Sequence, residues 1–266
     1  MARLADGRMA WFPVGDEARE AMRKECRILG LIEARCTFRA PRVLHVSPAG
    51  WDLRQPVPGR VSPSELYHRI AADDGLARRL GADIGAALAE QHGLIGTREL
   101  AGWLNTEAGW PMPRSWLDER LPRTGADGRL LRRVARMLDA YFALTCDDPV
   151  LTHGDLGLHN IAVDASDGSL AGVFDYDGAA LADRCHDFKY LLFDRESESM
   201  LDGALSAYEP ALSVRLDRRV IRLMNAACAI GFLAFRDGHA PQENWCGRTL
   251  EEDLRWTDLA LSRAGF

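Results

Sequence analysis

Residues 152–188 read THGDLGLHNIAVDASDGSLAGVFDYDGAALADRCHDF, and no other stretch constrains the chain as strongly. Short apolar runs there end in polar residues able to do chemistry. Val150-Leu151-Thr152 reads as a strand, and His153, Asp155 and Asn160 follow it. Ile161–Val163 and Leu170–Phe174 flank Asp164-Ala165-Ser166-Asp167-Gly168, a turn composition, so the two runs predict a hairpin. Asp175 follows its second strand. A hairpin between Asn160 and Asp175 brings both side chains to one end, where two oxygen donors can face one hard cation.

His-x-Asp-x4-Asn followed by Asp-aromatic-x is also the template of phosphoryl transfer. In it the first Asp accepts or orients the proton of the attacking hydroxyl, while the Asn and the second Asp hold magnesium against nucleotide phosphates. Here the pieces are His153-Gly154-Asp155, Asn160 and Asp175-Tyr176-Asp177. HGDLGLHN and VFDYDGAALADRCHDF together resemble the aminoglycoside phosphotransferases and related small-molecule kinases. That resemblance implies an α+β, protein-kinase-like fold of two lobes. It implies Asp155 as catalytic base and Asn160 and Asp175 as magnesium ligands. His153 would steady the catalytic loop, Asp183 and Asp187 would match a downstream Asp-x3-Asp, and Asp187 would brace the loop from a buried position. The implied cofactors are ATP (or GTP) and Mg2+. The implied partner is a small hydroxylated acceptor, aminoglycoside-like antibiotics among them.

Upstream, residues 8–14 (RMAWFPV) read as a strand ending at Pro13, and 16–34 as a helix opened by acidic residues. Arg42–Val46 and Trp51–Leu53 read as a strand pair around Ser47-Pro48-Ala49-Gly50, and 54–60 (RQPVPGR) as a linker. The resemblance places Glu25 where a helix glutamate pairs with a phosphate-binding lysine. It also places the donor's base against the hinge, where Val57 and Gln55 keep backbone N–H groups beside Pro56 and Pro58, which have none. The expected domains are thus 1–59, a truncated nucleotide-side lobe with its hinge, and 60–266, a mainly helical lobe carrying the catalytic and metal loops. The glycine-rich strand pair that would come first is not evident, and Trp11 falls where the strand lysine is expected. Only Lys24 and Lys189 are lysines, and neither suits that strand, which leaves Arg3 or Arg8 as stand-ins.

Beyond the hinge, Leu76, Leu80, Ile84 and Leu88 repeat at helical spacing, as do Leu131, Val134, Leu138 and Tyr141, and Leu216, Val220, Leu223 and Ala227. Asp194, Glu196, Glu198, Asp202 and Glu209 form one acidic stretch, and Glu243, Glu251, Glu252, Asp253 and Asp258 another. Lining an acceptor cleft, they would attract a polycation; the plainer reading is a solvated helix face. Trp245 and Trp256 could stack on an acceptor ring or anchor packing.

With 33 basic against 39 acidic residues, net charge −6, a nucleic-acid partner is disfavoured. The longest apolar run, Ala226–Phe235, is too short for a membrane span, and the first residues lack a signal-peptide core. Six cysteines without CxxC spacing read as reduced thiols, so a cytoplasmic location is expected. Two other readings stay open. One is a catalytically impaired, pseudokinase-like binding protein. The other is a metal-dependent hydrolase built on His153, His159, His186, Asp155 and Asp175.

Overall fold

The computed structural model describes residues 1–106, 110–193, 195–240, 242–244 and 247–266. Near the N-terminus, β1 (Ala2–Arg3), β2 (Met9–Trp11), β3 (Arg42–Val46) and β4 (Asp52–Gln55) form an antiparallel sheet in the order β1-β2-β4-β3. Gly50, at φ 83, closes the β3–β4 turn by donating its N–H to Ser47 O. Between β2 and β3 runs α1 (Asp16–Arg35), with Asp16 and Glu17 in its first turn. Its buried residues Met22, Glu25, Ile28, Leu29 and Ile32 recur at threes and fours, so one stripe faces inward.

Two boundaries differ from the sequence reading. A two-residue strand, β1, lies ahead of the expected first one. And β4 continues to Gln55, so Arg54 belongs to the sheet and not to the linker. The prolines that follow Arg54 mask its place in the strand's alternation.

After the hinge come α2 (Pro63–Ala72), α3 (Asp74–Leu94), α4 (Thr97–Leu100), α5 (Arg114–Arg120) and α6 (Gly128–Phe142). The stripe Leu76, Leu80, Ile84, Leu88 is buried along α3, and Val134 and Leu138 along α6. Then β5 (Pro149–Thr152), β6 (Ile161–Val163), β7 (Leu170–Val173) and β8 (Ala180–Asp183) make two strand pairs, β5 with β8 and β6 with β7. The hairpin is therefore where the sequence puts it. Arg60 and Val163 exchange backbone hydrogen bonds, which tie the hinge to β6.

Helices α7 (Ser199–Leu212), α8 (Arg218–Ala234) and α9 (Leu250–Arg263) complete the chain. Helices α3 and α7 approach closely because glycines line the contact. A Cβ on Gly81, Gly85 or Gly203 would run into the carbonyl oxygens of Met200, Ala204 and Arg78 respectively. One buried cluster joins α1, α3, α7 and the hairpin strands, and a second joins α5, α6, α8 and α9. No helix among the described residues is long and apolar enough to cross a membrane.

Candidate phosphotransfer site

The loop after β5 is held from beneath. Asp187, fully buried, accepts hydrogen bonds from the His153 N–H (2.8 Å) and the Gly154 N–H (2.9 Å). His92 Nε2 donates to the same carboxylate at 3.1 Å. The Lys189 ammonium, also buried, donates to Gly154 O and to His186 O. His153 Nε2 reaches Phe174 O at 3.0 Å. A carbonyl can only accept, so that nitrogen carries the proton and Nδ1 accepts the Asp155 N–H at 3.3 Å. Burial pushes the His153 imidazole below its usual range, which keeps it neutral. With both nitrogens occupied by backbone, His153 is a strut between the two loops.

Asp155 is half-open to solvent. Its Oδ2 takes hydrogen bonds from His159 Nε2 (3.0 Å) and Asn160 Nδ2 (3.2 Å), and Asn160 Nδ2 also donates to Asp155 O at 2.9 Å. Burial works to raise the Asp155 carboxyl, but His159, the Tyr190 hydroxyl and the Lys189 charge outweigh it and hold the group ionised, below the usual range. The Asp155 hydrogen bond in turn raises His159.

The Phe174 N–H donates to Asn160 O at 3.0 Å, so Asn160 and Asp175 lie at the same end of the β6–β7 hairpin. Asp175 sits in the left-handed region (φ 71, ψ 67), an uncommon setting for a non-glycine residue. Its carboxylate makes no hydrogen bond among the described residues, and none there reaches Asn160 Oδ1. Burial, then the charges of Asp177, Glu25 and Asp155, push Asp175 up to about 6 against the opposing pull of His159. Two uncommitted oxygen donors, in a setting crowded with negative charge, fit a hard divalent cation whose remaining ligands are phosphates and water.

Glu25, on α1, is 3% exposed and accepts the Tyr176 N–H at 3.2 Å. Its cation is neither Arg3 nor Arg8. Both of those are exposed, and Arg8 pairs with Asp6. Arg54 supplies it instead, NH1 to Glu25 Oε2 at 2.6 Å. Lys24, next to Glu25, donates to Asp177 O and to Ala179 O.

Three predicted residues fall elsewhere. Asp183 caps the turn 184–192 through the Cys185 N–H, and it lies opposite Pro149, at the far end of the β5–β8 pair from the catalytic loop. Gln55 and Val57 line a cavity of about 980 Å3 on the hinge, together with Leu29, Ile32 and Arg39; Asp155, Asn160 and Asp175 are not in its lining. The acidic stretches are largely occupied by arginine. Glu198 pairs with Arg218 and Arg222, Asp202 with Arg218, Asp253 with Arg236 and Arg248, and Asp258 with Arg133. Trp256 is buried against Phe232. Asp194 and Trp245 lie outside the described residues. Among the described residues no group of three His, Cys, Asp or Glu side chains is placed to hold a metal, and the hydrolase reading finds no donor set.

The sequence reading gives no role to Arg54, His92 or Lys189. His92 and Lys189 act on a loop far from them along the chain, and periodicity carries no trace of that.

A kinase-like fold with this loop pair defines a class, the small-molecule phosphotransferases. The phosphotransferase enzyme family (APH) model matches residues 12–222, and the chain belongs to that family. Comparison with curated proteins returns no match. Among solved structures, the GDP complex of wild-type aminoglycoside 2'-phosphotransferase-IIIa is similar at 17% identity and TM-score 0.71, over 96% of this chain and 86% of that one. The macrolide 2'-phosphotransferase MphH apoenzyme from Brachybacterium faecium is similar at 21% and 0.62, over 88% and 81%. ADP-bound aminoglycoside phosphotransferase APH(2'')-Ib is similar at 17% and 0.62, over 97% and 86%. At these identities the likeness establishes the shared fold.

Proposed function

We propose that the chain transfers the terminal phosphoryl group of ATP or GTP to a hydroxyl of a small molecule, with Mg2+ as cofactor. The observation that carries this reading is the joining of Asn160 to the Asp175 loop by one backbone hydrogen bond, with Asp155 bonded to Asn160. Asp155, ionised and half-open, accepts or orients the proton of the acceptor hydroxyl. Asn160 and Asp175 would hold the magnesium ion, which neutralises phosphate charge when bound. His153 and Asp187 fix the loop that carries Asp155, and Glu25 steadies the peptide after Asp175.

In this reading residues 1–59 form the nucleotide side, with the base against Val57 and Gln55, and residues 60–266 carry the catalytic loops and the acceptor. Asp183 braces the far end of the strand pair. We read the reaction as cytoplasmic, where a nucleoside triphosphate donor is at hand. The neighbours named above act on aminoglycosides and macrolides, and we extend to this chain only a hydroxylated acceptor. Its acidic stretches are largely paired with arginine, which leaves little charge to attract a polycation.

Asp155→Asn should lower phosphate transfer from labelled ATP by about 10²-fold or more across a panel of hydroxylated amines and macrolides. Its melting temperature should stay near that of the wild type. Unchanged turnover would remove Asp155 from the base role. Trp11, in place of the expected lysine, favours the impaired binding protein as the second reading; nucleotide binding without turnover in the wild type would select it.

A further inference from the structure

The resemblance asks for a cation on β2 facing Glu25, and Trp11 stands there. The next strand provides one. In the antiparallel register Met9 lies opposite Arg54 and Trp11 opposite Asp52, so these four side chains share one face of the sheet. Arg54 NH1 holds Glu25 Oε2 at 2.6 Å, and its Nε and NH2 hold Asp52 at 3.0 and 2.7 Å. The guanidinium carbon lies 4.9 Å from the centre of the Trp11 ring. Arg54 is 6% exposed and Asp52 fully buried. The other Glu25 oxygen accepts the Tyr176 N–H, one residue beyond Asp175.

A guanidinium keeps its charge and presents donors in a rigid fork. Clamped on Asp52, that fork has one direction left, and it points at Glu25. Glu25 is then fixed in rotation, and its free oxygen fixes the peptide that follows Asp175. That peptide is bonded to Asp175 itself, whose backbone is in the left-handed region, so holding the Tyr176 N–H holds the residue that carries the carboxylate.

We propose that Arg54 is the positioning cation of this enzyme. Through Glu25 and the Tyr176 N–H it sets the direction of the Asp175 carboxylate, and with it the affinity for the divalent ion of the nucleotide. The inference rests on the reading of Asp175 as a ligand of that ion. Arg54 does not touch the phosphates, being enclosed by two carboxylates and the Trp11 ring. A cation in β4 thus takes the place beside Glu25 that the resemblance gives to a phosphate-binding lysine in β2, without that lysine's contact to phosphate.

The test uses the full chain, ADP as nucleotide and Mn2+ as a spectroscopic stand-in for Mg2+. Free Mn2+ is followed by its paramagnetic resonance signal, and thermal melts report folding. The wild type should bind Mn2+ with ADP, and Asp175→Asn should lose that binding. Arg54→Met should weaken Mn2+ affinity about tenfold or more, the usual effect of removing a residue that orients a metal ligand. Glu25→Gln should do the same, and the double variant should lose little more than either one, since the two act in series. Trp11→Lys added to Arg54→Met should recover affinity by returning a cation to β2.

Unchanged Mn2+ affinity in an Arg54→Met protein that still melts cooperatively overturns the proposal and leaves Arg54 a brace of the core. If Arg54→Met does not fold, Arg54→Lys is measured in the same way. It keeps the charge but not the fork, so a several-fold weakening is expected and no change overturns the proposal. Failure of the wild type to bind Mn2+ with ADP, or wild-type affinity in Asp175→Asn, overturns the reading of Asp175 instead. The two failures are therefore distinguishable.

Discussion

Asp187 accepts three hydrogen bonds in a fully buried setting, from His153 N–H, Gly154 N–H and His92 Nε2. Arg184 donates to the Tyr208 hydroxyl at 3.3 Å, which leaves that hydroxyl free to donate to His92 Nδ1 at 2.8 Å. The tautomer of His92 is thereby set to offer its proton to Asp187. Burial alone would raise the Asp187 carboxyl, but the hydrogen bonds from His92 and from the Gly154 N–H bring it down, to about 2. A depressed carboxylate stabilises the fold fully above its unfolded pKa near 4, and the contribution is lost as pH falls through about 2. Asp187→Asn should therefore cost about 3 kcal/mol at neutral pH, read from urea melts. It should also flatten the decline in stability between pH 4 and pH 2; an equally steep decline would assign the acid limb to other carboxylates. At this scale Asp155, Asn160 and Asp175 were legible because one local stretch fixes their spacing. Arg54 was not, since its meaning depends on Glu25 arriving from another element, and an arginine directly before Gln55, Pro56 and Pro58 reads as the start of a linker.

For α3, the leucine stripe announces the helix, yet its closest contact is made by glycines that sequence rules count as weak helix formers. Gly81 and Gly85 have their reason only in the α7 backbone they meet. Gly85→Ala gains up to about 1 kcal/mol in helix propensity. The new methyl collides with Ala204 O, a backbone atom that cannot swing aside. A net loss of about 1–3 kcal/mol is expected from overpacking, measured as a lower denaturant midpoint with the slope unchanged. A higher midpoint would mean that the two helices can separate freely. Strand β8 was illegible for a related reason. Ala-Leu-Ala-Asp has no β-branched residue, and pairing with β5 alone makes it a strand.

Across the molecule, α8 serves both buried clusters. Ile221 and Met224 belong to the one that also holds Ile28, Leu29 and Ile32 of α1, while Leu223, Ala227 and Ile230 belong to the other. Neither cluster can lose its packing without exposing part of that helix. Urea unfolding followed by far-ultraviolet dichroism and by tryptophan fluorescence should give superimposable curves. Separate midpoints would show that the N-terminal strands and α1 come apart alone. The change from strand to helix periodicity near residue 60 was visible in the sequence. The arginine pairs that occupy the acidic stretches were not, because a charge run looks the same whether its partners are ions in water or side chains from the next helix.

Both lysines of this chain donate to backbone carbonyls around the loops that follow β5 and β7: Lys24 to Asp177 and Ala179, Lys189 to Gly154 and, in the 184–192 turn, to His186. Burial lowers the basicity of each. Amine-directed dyes, cross-linkers and resin coupling, which on most proteins decorate an indifferent surface, have no such surface lysine here. Among the lysines they could reach only Lys24 and Lys189, which hold the loops carrying Asp155 and Asp175, and nucleotide present during labelling should shield both if the proposed function holds.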